Sequence, residues 1–338
     1  MFHRRFLLSW CGAGLVASAA LGIRAAEPAG YYNATAGLTG TPLRNAIHTI
    51  LRAGHVALSY TDTRVALEAV DQDPANSVNV LLIYSGESKP KADWINNNSA
   101  DGWNREHVWP NSLGINDGLP AYSDIFNLRP CDEHVNSDRG NLYFDESSTG
   151  SGYQNPAHAE ATGCTQDSDS WEPPLDMKGD IARAMFYMDL RYEGSGEPNL
   201  QLTDNTGLIS TNSAYMGRLS TLLVWHFLDP VSNIERQRSD AAYTRQGNRS
   251  PMVDRPEWVE AIYGAVFTLT ASVSQGNVTL TWPAILPDAM KVLETSVDLV
   301  SWTPLSVTPT TQGSVKNATV TQPAWRAFYR LRLQPTAG

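Results

Sequence analysis

Cysteine is nearly absent: the 338-residue chain has three, Cys11, Cys131 and Cys164. No CxxC pair occurs, so a zinc ribbon or finger is excluded. Positive charge is also scarce, 25 Lys and Arg against 35 Asp and Glu, for a net charge of −10. Such acidity argues against a protein that grips nucleic acid through a broad basic face. Beyond one N-terminal run, no stretch is long and apolar enough to span a bilayer. Internal repeats and a low-complexity linker are lacking too. Hydrophobic content of 42% excludes a disordered chain, and the length suits two domains.

The N-terminal run places His3, Arg4 and Arg5 ahead of an apolar stretch from Phe6 to Ile23, with small residues at Ala25 and Ala26. It reads as a secretory signal peptide over residues 1–26, cleaved near Ala19 or Ala25–Ala26. A retained anchor is the alternative. Cleavage removes Cys11, and an even pair in an exported chain favours a Cys131–Cys164 disulfide over two buried thiols. It also removes three arginines and takes the charge to about −13. Residues 266–338 carry about +2, so the acidity belongs to the segment before them.

Two styles of sequence follow. From about 28 to 264 the chain mixes helices with few strands. Thr41 and Pro42 signal a helix start, Leu43, Ile47, Ile50 and Leu51 line one face, and Gly54 stops it. "NVLLIYS" (79–85) reads as a buried strand and "WNREHVWP" as a short strand ending at Pro110. Asp132 caps a helix running to about Gly140. "DMKGDIARAMFYMDLRY" and "MGRLSTLLVWHFLDP" are further helices. After Gly264 come short alternating runs rich in Thr and Val, such as "NVTLTWP" and "NATVTQP". These predict a small all-β sandwich, immunoglobulin- or fibronectin-like, over 267–338. The fold class is therefore α+β with a β-rich appendage.

Chemistry concentrates in "WNREHVWPNS" (103–112) and "NLRPCDEHVNSDRGNLYF" (127–144). His107 can take or give a proton near neutral pH. Glu106 is a hard oxygen ligand suited to Mg²⁺ or Ca²⁺, and Asn136 offers a neutral carbonyl oxygen. Asn136 and Arg139 lie at i and i+3 on one helix face, and a guanidinium matches phosphate oxygens. A base, a cation held by few protein groups and an arginine are the parts of metal-assisted phosphodiester hydrolysis. Adjacent strand residues point to opposite faces, so Glu106 and His107 share one site only at a strand end or irregular turn.

These two stretches, with "LIYS" at 82–85, "WEPPLDMKGDIARAMFYMDLRY" at 171–192 and "WHFLDPVSNIERQRSDAAYTRQGNRSPMVDRPE" at 225–257, resemble the bacterial endonuclease I family over residues 30–264. The resemblance implies a ββα-metal (His-Me finger) nuclease domain over 28–264. It makes His107 the general base. Glu106 and Asn136 become ligands of one divalent cation, Mg²⁺ first and Mn²⁺ or Ca²⁺ as alternatives. Arg139 and Arg129 are the nearest phosphate contacts in sequence, with Arg249 supporting. The family reaction implies nonspecific endonucleolytic cleavage of DNA, and often RNA, to 5′-phosphate ends by a secreted or periplasmic monomer. Phe126 departs from the pattern, standing where the family often has histidine, which touches orientation and rate rather than reaction class. Arg236, Arg238, Arg245, Arg249 and Arg255 are expected to supply a local basic track. Trp103, Trp109 and Trp171 are expected to pack around the site, with base stacking as the alternative. The rival readings are a noncatalytic attachment protein with a decayed nuclease module, and an RNA-specialised nuclease. What the β module binds is not readable.

Overall fold

The computed structural model describes residues 27–95, 101–263, 269–284, 291–312, 315–321 and 327–333. The expected signal peptide, with Cys11, and the stretch 264–268 around the expected domain boundary lie outside the described residues. The chain divides into two compact units between Ile262 and Tyr263. Among the described residues no helix is long and apolar enough to cross a membrane.

The first unit is α+β. Helix α1 (Gly40–Gly54) buries Leu43, Ile47 and Leu51, the one-face spacing of an amphipathic helix. Its N-cap is Thr39, not Thr41, so it begins earlier than Pro42 suggests. Helix α2 (Tyr60–Val70) is capped by Ser59, whose Oγ accepts from Asp62 N at 3.1 Å. Strands β1 (Gln72–Asp73), β2 (Asn76–Leu81) and β3 (Ser88–Pro90) form an antiparallel sheet. The apolar run expected as a strand to Ser85 leaves the sheet after Leu81. Then come β4 (Trp103–His107), β5 (Leu128–Asp132) and helix α3 (Glu133–Arg139). β4 stops at His107 rather than running to Pro110. Three short strands, β6 (Tyr143–Phe144), β7 (Thr165–Gln166) and β8 (Ser170–Glu172), lead into α4 (Leu175–Arg191). β9 (Gln201–Leu202) pairs in parallel with β10 (Tyr215–Met216). Helices α5 (Leu219–Leu228), α6 (Asn233–Gln246), α7 (Pro251–Asp254) and α8 (Trp258–Tyr263) complete the unit.

Helix α4 is the centre of the core, buried along most of its length and packed on α1, α5 and α7. Gly179 allows a close approach on its first turns. A Cβ there would lie 2.0 Å from Asp229 O, and Gly179 N donates to Asp229 Oδ2 at 2.9 Å. The core also holds a polar knot. The carboxylate of buried Asp124 accepts from Phe126 N and Gln246 Nε2, each at 2.9 Å, and from Tyr187 and Tyr192 hydroxyls, each at 2.8 Å. Four donors, one from the same turn and three from two distant segments, satisfy one charge, which is what a buried carboxylate needs. Arg183 and Arg191 are buried in ion pairs with Glu235 at 2.6 Å and Glu197 at 2.7 Å.

The second unit is built of two antiparallel sheets. One has the order β11 (Thr270–Ser274), β12 (Asn277–Pro283), β16 (Val315–Thr321), β15 (Thr310–Gln312). The other runs β14 (Thr303–Pro304), β13 (Lys291–Ser296), β17 (Phe328–Leu333). Val278, Leu280 and Trp282 alternate inward along β12, the period-two pattern of a strand with one face on the core.

Candidate active site at the end of strand β4

β4 and β5 pair antiparallel, with Trp103 opposite Asp132 and His107 opposite Leu128. Side chains alternate along β4, and the contacts sort them. Asn104 and Glu106 face α3: Asn136 Nδ2 donates to Asn104 Oδ1 at 2.7 Å, and Arg139 Nη1 lies 3.1 Å from Glu106 Oε1. Arg105 and His107 face the other way. The His107 ring sits 4.7 Å from the Tyr122 ring and 5.8 Å from that of Tyr60, and the Arg105 guanidinium lies 3.4 Å from the Tyr60 centroid. Helix α3 stands where it does because Asp132, at the end of β5, caps it: Asp132 Oδ1 accepts from His134 N at 2.9 Å and Val135 N at 3.3 Å.

The expected constellation is therefore divided round the end of one strand. Glu106 and Asn136 share the α3 side, while the imidazole of His107 occupies the opposite side. No hydrogen bond joins that ring to either of them among the described residues. Backbone connects the two halves: Arg139 Nη1 donates to His107 O at 3.1 Å and Nη2 to Val108 O at 2.7 Å.

The protonation of His107 can be read from its partner. Nε2 is 2.9 Å from Tyr122 O. A carbonyl only accepts, so Nε2 carries the hydrogen and Nδ1 keeps its lone pair. Burial lowers the pKa to about 4 against the pull of the Tyr122 carbonyl, and the charges of Arg105 and Arg139 lower it further. The ring is thus neutral at pH 7, with one defined basic nitrogen.

Glu106 is buried, and burial raises its pKa while Arg139 and the Tyr84 hydroxyl, which donates to Oε1 at 2.7 Å, pull it back. Its Oε2 takes no hydrogen bond among the described residues. Asn136 is oriented by the same logic as His107. Its Nδ2 donates to Arg105 O at 3.1 Å as well as to Asn104 Oδ1, so the amide nitrogen faces inward and Oδ1 faces away. Two hard oxygens on one side of β4 are a donor set suited to a small divalent cation.

The arginines move the reading most. Arg139 is fully buried, with its guanidinium engaged by Glu106 and the carbonyls of His107, Val108 and Gly140, so it is turned inward rather than toward solvent. Arg129 pairs with Asp71 at 3.1 Å. Arg249 is buried between Asp240 and Asp254, each at 2.7 Å. Of the late arginines expected to supply a basic track, Arg236, Arg238, Arg249 and Arg255 are engaged by other protein groups, and Arg245 on α6 is exposed. Arg238 is buried against Asp71 at 2.7 Å, Arg236 donates to Val253 and Val231 carbonyls, and Arg255 pairs with Glu27. The cation beside His107 is Arg105, two residues before it. That placement follows from strand alternation alone, a signal present in "REH" and passed over.

The sequence model of the family described as Endonuclease I matches residues 39–257. The chain belongs to the endonuclease I family. It is similar to the "Extracellular ribonuclease" of Bacillus amyloliquefaciens, 46% identical over 237 residues, which are 69% of this chain and 78% of the relative. A second "Extracellular ribonuclease", from Bacillus subtilis (strain 168), is 43% identical over 236 residues with the same coverage.

Other expectations about this endonuclease I chain resolve as follows. Cys131 and Cys164 are both buried free thiols, not a disulfide. The Cys164 thiol donates to Tyr84 O at 3.6 Å, and burial pushes both thiol pKa values up, which disfavours the thiolate needed for exchange. Phe126 is buried and packs on Tyr187, 4.6 Å between centroids, so it serves the core and offers no hydrogen bond to the site. Trp103, Trp109 and Trp171 are fully buried, which leaves them no base to stack on. His226 is buried in the core, with its Nε2 3.1 Å from Pro256 O. Three carboxylates, the capping Asp132 with Asp101 and Glu160, which sequence did not single out, come within reach of one another. The Lys89 ammonium already answers them, 2.7 Å from Asp101 and 3.1 Å from Asp132. A cavity of about 620 Å³ lies away from His107, bordered by Asp71, Arg129, Met177, Asp180, Glu235 and Arg238.

Proposed function

We propose that this chain is a secreted, metal-dependent endonuclease that hydrolyses phosphodiester bonds in RNA and DNA to 5′-phosphate ends, with His107 as the general base. One observation carries the reading. The Tyr122 carbonyl fixes the proton on His107 Nε2, so a neutral imidazole presents Nδ1 for a proton from water. The β4–β5–α3 unit around it is the ββα-metal element of this reading. The relatives' printed name, extracellular ribonuclease, supports both export and RNA as a substrate.

In this reading a water loses its proton to His107 Nδ1 as it attacks phosphorus in line with the departing 3′ oxygen. The Tyr122 carbonyl then stabilises the imidazolium through the Nε2–H bond. Glu106 Oε2 and Asn136 Oδ1 would hold the cation, Mg²⁺ first, with Mn²⁺ or Ca²⁺ as alternatives. When bound, the ion supplies Lewis-acid stabilisation of charge on phosphate oxygen. Arg139 favours the ionised form of Glu106, orients its carboxylate and ties both sides of the strand end together.

The test is a plasmid-nicking and RNA-digestion assay on wild type and His107→Ala, with chelator and across a metal series. Wild type should cut both nucleic acids, lose activity to chelator and recover it with Mg²⁺. His107→Ala should lose about 10²- to 10⁴-fold in rate while keeping its unfolding midpoint. A fully active alanine variant overturns the assignment of the base.

A further inference from the structure

We propose that Arg105, Tyr60 and Tyr122 form a substrate track for unpaired nucleic acid beside His107, so that the enzyme prefers single-stranded over duplex substrate. The proposal rests on the nuclease reading above and specifies its substrate class.

The contacts form a continuous strip on the His107 side of β4. Arg64 lies 5.2 Å from the Trp94 ring, Arg105 lies 5.0 Å from Trp94 and 3.4 Å from Tyr60, and Tyr60 meets Tyr122 at 4.6 Å and stacks on His107 at 5.8 Å. Cations and rings alternate, and the strip ends at the base. Tyr60, Tyr122 and Arg105 are half-buried rather than sealed, in contrast to the tryptophans that flank the motif.

Charge is consistent with the same place, although α6 also carries two arginines with no carboxylate partner among the described residues, Arg236 on carbonyls and exposed Arg245. Arg139, Arg183, Arg191, Arg238 and Arg249 are buried and each is matched by a carboxylate. Arg105 pairs with no carboxylate among the described residues. Its Nη1 donates to Thr63 Oγ1 at 3.1 Å and to Tyr60 O, and Nε and Nη2 find no partner there. A guanidinium seated flat on a ring keeps its edge for phosphate oxygens. Arg64, tied only to Glu68 one helical turn away, adds a second cation; exposed Asp117 is the acid whose charge reaches Tyr60. In an acidic chain, one unanswered guanidinium beside the base gives a local attraction without a broad basic face.

The rings decide the strandedness. A base can stack on a tyrosine only when its face is exposed, which a duplex prevents. Tyr122 contributes its carbonyl to His107 and its side chain to the track, so the two roles separate cleanly: Tyr122→Ala removes the ring and leaves the carbonyl.

Fluorescence anisotropy with a fluorescein-labelled single-stranded 12-mer and a labelled hairpin duplex of the same length, in chelator, tests binding without turnover. Wild type should bind the single strand about tenfold more tightly, and Tyr122→Ala should erase that ratio, since one stacked base is worth about tenfold. Arg105→Met should weaken both ligands about tenfold or more, with Arg105→Lys recovering most of the loss. The thermal midpoints should stay close to wild type, and the low-pH limb of Arg105→Met should move upward, because the Arg105 charge helps hold the His107 pKa down. Equal affinity of wild type for the two ligands, or a ratio untouched by Tyr122→Ala, overturns the proposal. A wild type that shows the ratio yet cleaves nothing leaves the track standing and removes the nuclease reading instead.

Discussion

Replacing Arg139 with methionine separates a structural arginine from a substrate-binding one. The guanidinium is fully buried, lies 3.1 Å from Glu106 Oε1, donates to the carbonyls of His107 and Val108, and packs 4.7 Å from the Phe144 ring. Methionine keeps the ring contact and loses the rest. Breaking a buried pair from one side costs about 3–5 kcal/mol, because the surviving carboxylate stays buried and unpaired. At a urea slope of about 3 kcal/mol per M, the midpoint should fall by about 1–1.7 M, read by the fluorescence of buried Trp103, Trp109 and Trp171. The sign of the pH dependence is a second check. Burial already raises the Glu106 pKa, and Arg139 opposes that; without Arg139 it rises further. The penalty applies while Glu106 is ionised and fades as pH falls through its folded value. The deficit of Arg139→Met should therefore shrink on acidification, and Glu106→Gln/Arg139→Met should recover much of it. A midpoint within about 0.3 M of wild type, with lost activity, would return Arg139 to the phosphate and refute this account.

Four further outcomes are expected. Cleavage should hold steady above about pH 5 and fall about tenfold per unit below the His107 value of about 4; a midpoint near 6.5 contradicts the buried, neutral ring. Unfolded imidazole protonates near 6.5 and the folded ring near 4. Between those values the unfolded state binds more protons, so His107 should lose the fold about 3 kcal/mol on acidification, a slope absent from urea titrations of His107→Gln. Asn136→Ala should raise the Mg²⁺ concentration for half-maximal activity about 10- to 100-fold, and an unchanged metal titration removes Asn136 from the ligand set. Thiol titration of the unreduced protein should find Cys131 and Cys164 reactive in denaturant and silent in the native state, whereas no thiols in denaturant would restore the disulfide.

Local signals in the sequence were sufficient wherever one segment determines its own geometry. Asp132 caps α3 as its residue type demands, Leu43, Ile47 and Leu51 share a face, and the opposite orientations of Glu106 and His107 follow from strand alternation. Tertiary partners were not visible. Asn136 and Arg139 do share a helix face, but that face looks onto β4, not onto solvent, and only packing decides which. Arg129 and Arg238 meet Asp71 from far along the chain, so counting charges could not show that the arginines fold inward. The track is a middle case: the Arg105 side was legible from its spacing to His107, while Tyr60 and Tyr122 come from a helix and a turn that no motif joins to it.

The knot at Asp124 lies two residues beyond Tyr122, whose carbonyl sets the His107 tautomer. It is cinched by Tyr187 and Tyr192 from α4 and its end, and by Gln246 from the last turn of α6. The nitrogen proposed to accept the proton is thereby linked, through the Tyr122 carbonyl, to a buried network in the core of the unit. Loosening of the interior should switch off turnover at once, so heat or denaturant should extinguish catalysis and global structure together rather than one before the other.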